Sequence, residues 1–223
     1  MSNQLIINHL ITFSLNTITL KGVSKKFSRQ SIFSNISFEA KQGDAIAITG
    51  YNGSGKSTLL QIIAGYISPS AGSIEHFFND KKILPDSLYQ YISLATPYLE
   101  LIEEFTLREM ISFYNKFKPL THLPSIERII ESSHSGFDRD KQIKYYSSGM
   151  KQRVKLILAM MTDVPFVLLD EPHSNLDQDG MEWFGKLMTQ NKDNKIIFIS
   201  SNRVPEETGI CNKFIHLEDF RKS

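Results

Sequence analysis

The chain has 223 residues, 41% of them hydrophobic, and a formal net charge of +1. That length and apolar content suit one large domain or a domain with a subdomain, and the near-neutral charge gives no electrostatic case for nucleic acid or an anionic lipid surface. The single cysteine, Cys211, excludes an internal disulfide and a cysteine-rich metal site; it reads as a small buried side chain compatible with a reducing compartment.

No apolar run reaches the roughly 18 residues that a membrane span requires. Leu5 to Phe13 is apolar, but it lacks a basic n-region and is interrupted by Asn8 and His9, so it does not read as a signal peptide. Residues 1–15 are expected to form an extension, either disordered, docked, or the product of an upstream start codon. Ile18 to Val23 alternates weakly and predicts an edge strand, Ser24 to Ser28 a polar loop carrying Phe27, and Ile32 to Phe38 a second strand. Phe27 either anchors that loop or offers its π-face to a purine.

Lys41-Gln42-Gly43-Asp44 is a turn into Ala45 to Thr49, whose small and β-branched residues predict a parallel strand buried on both faces. Gly50, Tyr51, Asn52, Gly53, Ser54 and Gly55 then form a glycine-rich loop, and from Lys56 onward Leu59, Leu60, Ile62 and Ile63 give a helix its apolar face. Gly50 to Ser57 reads Gly-x-x-x-x-Gly-Lys-Ser, the spacing of a phosphate cradle. Glycines let successive N–H groups converge on phosphate oxygens, Lys56 brings a compact charge to the β- and γ-phosphates, and the Ser57 hydroxyl can ligate Mg²⁺. Thr58 opens the helix beside it, where free amides and the dipole favour an anion.

Ser68 to Gly72 is a turn, Ser73 to Phe78 a short strand, and Tyr91 to Thr96 another strand that Pro97 stops. Amphipathic helices are predicted at Leu107 to Phe117, Ile126 to Ser132 and Ser148 to Met161, which suggests a helical subdomain inserted into a strand-rich core. Pro165 to Leu169 and Lys195 to Ser200 are further runs fit for buried parallel strands. The first leads into Asp170-Glu171-Pro172. In parallel sheets ligands sit beyond the C-terminal strand ends, so both acids should face the crevice of Lys56. Asp170 can hold Mg²⁺, and Glu171 can orient and deprotonate an attacking water. Between cradle and acids, Tyr146-Ser147-Ser148-Gly149-Met150-Lys151-Gln152-Arg153 opens a helix with Ser147 at an N-cap position.

This octapeptide resembles the signature motif of ATP-binding cassette (ABC) proteins, usually Leu-Ser-Gly-Gly-Gln followed by Gln-Arg. Its place between cradle and acids is that of the family, and Ser174-Asn175-Leu176-Asp177 is similar to the family's D-loop. The resemblance covers nearly the whole chain from about Ile18. It implies an α/β fold: a P-loop NTPase core with a parallel sheet flanked by helices, an N-terminal antiparallel β subdomain, and a helical subdomain at about 98–163 within a single ABC ATPase domain, 16–223. It also gives Phe27 the adenine-stacking position.

The resemblance further implies that two cassettes face each other head to tail, each ATP lying between one cradle and the partner's signature helix. Ser147, Gly149 and Asp177 would then belong to the shared nucleotide site. Pro97 to Phe105 matches the surface that receives integral membrane permease subunits, so a peripheral location on the cytoplasmic face is expected. No nucleic-acid partner is expected. The implied activity is Mg²⁺-dependent ATP hydrolysis driving transport. Alternatives from other classes are a soluble cassette acting on a ribosome or DNA complex and a degenerate ATP-binding regulatory switch.

Three departures stand out. The family's glutamine after the Tyr91–Thr96 strand is replaced by Thr96 or Pro97, and its histidine after the last core strand by Asn202, which can hydrogen-bond but not transfer a proton. The signature carries Ser148 for the first glycine and Met150 for the glutamine. Cradle, metal acid and Glu171 are intact, so slow hydrolysis is expected, with Glu171, Lys56 and Asn202 as its catalytic candidates.

Overall fold

The computed structural model describes residues 16–28, 30–121, 130–131, 136–202 and 209–221. Strands β1 (Thr17–Phe27) and β2 (Gln30–Lys41) form an antiparallel hairpin. Next come β3 (Ala45–Thr49), α1 (Lys56–Ile63), β4 (Ala71–Phe78), the short β5 (Lys81–Lys82) and β6 (Ile92–Ala95). Helices α2 (Leu107–Phe117) and α3 (Ser148–Met161) precede β7 (Phe166–Asp170), α4 (Gln178–Asn191), β8 (Ile196–Ser201) and β9 (Lys213–His216).

Among the described residues these strands make two sheets: antiparallel β2-β1-β4-β5 and parallel β6-β7-β8-β3-β9. Every residue of β3, β7 and β8 is buried, as their apolar runs, which in β7 end at Asp170, predict. Their side chains alternate between two cores. Val167, Leu169, Ile197 and Ile199 face Leu156, Met160, Phe184 and Leu187 of α3 and α4. Phe166, Leu168, Ile46 and Ile48 face α1 and the antiparallel sheet through Leu59, Ile63, Ile18 and Leu20. The parallel sheet is thus the middle layer, and the α/β architecture expected from the sequence is present.

Two expectations are corrected. β1 is not an edge strand: it is paired on one side with β2 and on the other with β4. Alternation in Ile18 and Leu20 reports one buried face, which a central strand of a half-exposed sheet shares with an edge strand. Ser24 to Phe27 is not a loop either, because β1 continues to Phe27. Register shifts between Leu20 and Val23, Val23 and Lys25, and Lys25 and Lys26 let these polar residues stay paired despite the broken alternation.

In the helical region α2 begins with a capping box, Thr106 with Glu109, and α3 is capped by Ser147. The helix expected at Ile126–Ser132 lies outside the described residues apart from Ile130 and Glu131, which are helical. Residues 1–15 also lie outside them. Helix α4 and strand β9 were not anticipated: α4 buries Trp183, Phe184, Leu187 and Met188 at helical spacing, a signal that was available, whereas only Ile215 of β9 is buried.

Candidate functional site at the C-terminal strand ends

The loop after β3 needs its glycines. Gly55 caps α1 at φ +105°, and a Cβ there would stand 2.4 Å from Ile32 Cγ2. At Gly50 a Cβ would stand 2.5 Å from Ser54 Oγ. Ser54 is fully buried beneath this turn, and its hydroxyl has no hydrogen-bond partner among the described residues. Helix α1 has no side-chain cap, so its first amides remain available to an anion. Lys56 is buried and donates from Nζ to the carbonyls of Gly50 at 2.9 Å and Tyr51 at 3.1 Å. Burial pulls its ammonium below the usual lysine range, against the opposing attraction of Glu171, Asp170 and Glu218.

Strand order brings the acids to this loop. β8 lies between β7 and β3, with Asp170 opposite Ser200 and Ile48 also opposite Ser200. Asp170, buried at the end of β7, accepts from Ser57 Oγ at 3.1 Å and from Ser200 Oγ on the same oxygen, Oδ1. Glu171 follows at φ +48°, an uncommon conformation for a non-glycine residue. Its backbone N–H donates to the Ser200 carbonyl at 3.1 Å, and its carboxylate accepts from Asn202 Nδ2 at 2.8 Å. Lys56, Ser57, Asp170, Glu171 and Asn202 therefore converge.

The signature residues lie elsewhere. Ser147 Oγ accepts from Met150 N–H at 3.2 Å, and a Cβ on Gly149 would stand 2.8 Å from Asn175 O. No hydrogen bond among the described residues joins Ser147 or Gly149 to the phosphate loop. Helix α3 is instead fastened to the segment behind the acids. Gln152 donates to Pro172 O at 2.8 Å, while buried Arg153 pairs with Asp177 at 2.8 Å and lies over Trp183. Tyr146 donates from its hydroxyl to Asp138 O, and burial pushes the phenol up to about 12.

Phe27 stands half-exposed at the end of β1, with Lys25 Nζ 4.8 Å from its ring centroid. Asn52 and Gly53 are exposed at the loop tip, and Thr58 lies in the first turn of α1. Tyr51 N–H is taken by Glu218 Oε1 at 3.0 Å, and Arg221 lies 4.4 Å from the Tyr51 ring. Thr96, just beyond β6, turns its hydroxyl to Leu99 N–H at 3.1 Å, while Lys155 donates to Pro97 O at 3.2 Å. Sequence reasoning missed Ser200, Glu218 and Arg221. A serine directly after the apolar run Ile196 to Ile199 was the available signal for the first; nothing local marks the other two.

The fit to a magnesium nucleotide is good. One carboxylate and one hydroxyl, Asp170 and Ser57, are hard oxygen donors suited to a cation that takes its remaining ligands from water and substrate phosphates. The crowded glycine positions, uncapped helix start and buried Ser54 hydroxyl suit a phosphate chain above them.

Fold and loop together define a nucleotide-binding domain of the P-loop class. A family profile described as ABC transporter matches residues 33–174. YxlF of Bacillus subtilis (strain 168), described as an uncharacterized ABC transporter ATP-binding protein, is 28% identical over 205 residues, covering 91% of this chain and 68% of the relative. The arabinose import ATP-binding protein AraG of Pectobacterium atrosepticum is 30% identical over 217 residues, 92% of this chain but 42% of that protein. A solved structure described as a putative ABC transporter ATP-binding protein from Pyrococcus furiosus superposes with a TM-score of 0.79 at 20% identity, covering 92% of this chain and all of that one. The chain belongs to the ABC transporter family, as an ATP-binding subunit. No helix among the described residues is long and apolar enough to cross a membrane.

Proposed function

We propose that the chain is a slow Mg²⁺-dependent ATPase that works as one half of a cassette dimer docked on separate membrane subunits. The observation that carries this reading is the joined pair of acids: Asp170 bonded to the loop serine Ser57, and Glu171 held by Asn202. On this reading Gly50 to Thr58 wraps the phosphates, with Lys56 leaving the Gly50 and Tyr51 carbonyls for phosphate oxygens, and Phe27 stacks on adenine once Lys25 leaves its ring face. Ser57 and Asp170 hold Mg²⁺, which supplies charge neutralisation on the phosphates. Glu171 orients and deprotonates the attacking water.

Ser147 and Gly149 make no bond to their own loop, which supports a role toward the nucleotide of a second copy, with Asp177 behind them. ATP binding then closes the dimer and hydrolysis releases it. Pro97 to Phe105 presents the 88% exposed Tyr98, together with Leu99, Glu100, Glu103 and Glu104, as the docking surface for a permease subunit at the cytoplasmic face. Residues 16–223 act as one ATPase domain with the helical subdomain at about 98–163, and 1–15 as an extension. Hydrolysis is slow because Thr96 is engaged within its own turn and Asn202 replaces a proton-transferring group.

The test is phosphate release from purified protein and from membranes carrying it. Wild-type release above that of Glu171→Gln, and abolished by EDTA, is expected. Equal rates in both preparations would overturn the hydrolytic reading.

A further inference from the structure

We propose that Ser200 is a positioning residue for the metal carboxylate, a role that rests on the magnesium nucleotide reading above. Ser200 is fully buried near the end of β8, in register with Asp170 on β7 and with Ile48 on β3. Residues opposite each other in a ladder share a face, which sets the serine hydroxyl beside the Asp170 carboxylate. Its Oγ donates to Asp170 Oδ1, the same oxygen that accepts from Ser57 Oγ. The two hydroxyls differ in what they are free to do. Ser57 belongs to the phosphate loop and is the hydroxyl that would turn to the cation. Ser200 belongs to a central buried strand and stays beside Asp170 in either state.

Ser200 also reaches the second acid. Its carbonyl accepts from Glu171 N–H at 3.1 Å, and its Oγ lies 3.4 Å from the same N–H. One residue thus fixes the side chain of Asp170 and the backbone of Glu171, the latter at φ +48°. A partner that orients a ligating carboxylate contributes to metal affinity without touching the metal, typically about 10- to 100-fold.

The experiment compares wild type, Ser200→Ala and Ser200→Thr with ADP bound, titrating Mn²⁺ by electron paramagnetic resonance, and separately measures ADP affinity in EDTA. Expected are a Mn²⁺ dissociation constant raised about tenfold or more in Ser200→Ala, recovery in Ser200→Thr, and unchanged metal-free ADP affinity in both. Recovery by threonine marks the hydroxyl itself as the cause, since threonine keeps the donor. Mn²⁺ affinity in Ser200→Ala equal to wild type would overturn the Ser200 role alone. So would an equal loss of metal-free ADP binding, which would mark Ser200 as merely structural. Wild-type protein that binds ADP but no Mn²⁺ would overturn this role and the magnesium reading together.

Discussion

Asn202 donates its side-chain amide to the Glu171 carboxylate at 2.8 Å, joining the end of β8 to the residue just past β7. The amide carries no titrating proton, so it holds the acid by hydrogen bonding alone. On the proposed reading it orients Glu171 without transferring a proton.

From that bond follows a kinetic expectation. Asn202→Ala removes a hydrogen bond to a charged acceptor at a solvent-exposed position, so kcat should fall about three- to tenfold. The Michaelis constant for ATP should hardly change, because the phosphate loop is untouched. Steady-state phosphate release resolves the two, and a change confined to the Michaelis constant would argue that Asn202 serves binding instead.

Glu171→Gln keeps the size of the side chain and removes the proposed base. Loss of general-base catalysis should slow hydrolysis by about 10²–10⁴. With ATP and Mg²⁺ the variant should sediment as a dimer in the ultracentrifuge and return to monomer with ADP. A variant that sediments identically with and without ATP would refute the head-to-tail arrangement.

Gly55→Ala tests the cradle. Its φ of +105° is strained for alanine, and the added methyl would sit 2.4 Å from Ile32 Cγ2. Backbone strain and overpacking together should cost about 1–3 kcal/mol in chemical denaturation. Fluorescent nucleotide binding should be lost as well, since the amides after this residue are displaced. Retained wild-type affinity would show that the loop needs no glycine here.

Acid should destabilise the protein through His76. Burial between the sheets lowers this imidazole from 6.5 to about 4, outweighing its bond to Ile63 O. A folded value below the unfolded one means the neutral form is favoured by folding. The contribution is therefore complete above pH 6.5 and is lost as pH falls toward about 4, amounting to about 3 kcal/mol in full. His173, lowered to about 4 by burial, acts in the same window. Urea unfolding at pH 7 and 4.5 should show a smaller loss for His76→Gln than for wild type; parallel losses would exclude His76 as a source.

The buried strands were legible because β3, β7 and β8 have no polar face to confuse the pattern. β1 was legible over Ile18 to Val23 but not beyond, since its bulges break the alternation where Ser24 to Phe27 remain paired. The glycine loop and the Asp170-Glu171 pair were readable for a different reason: their chemistry depends on residue types at fixed spacing along the chain. Glu218 and Arg221 show the limit. They reach Tyr51 only because β9 pairs in parallel with β3 and brings the following turn beside the loop.

Sequence by itself determined the phosphate loop, the two acids and the serine-capped start of helix α3, because each is a local pattern. Tertiary structure decided what holds them: that Ser57 and Ser200 share Asp170, that Asn202 meets Glu171, and that Arg153 ties the signature helix to Asp177. Those contacts join residues far apart in the chain. The contacts at Asp170 and Glu171 exist because the strand order β7-β8-β3 sets three strand ends side by side, and no local pattern of residues encodes that order.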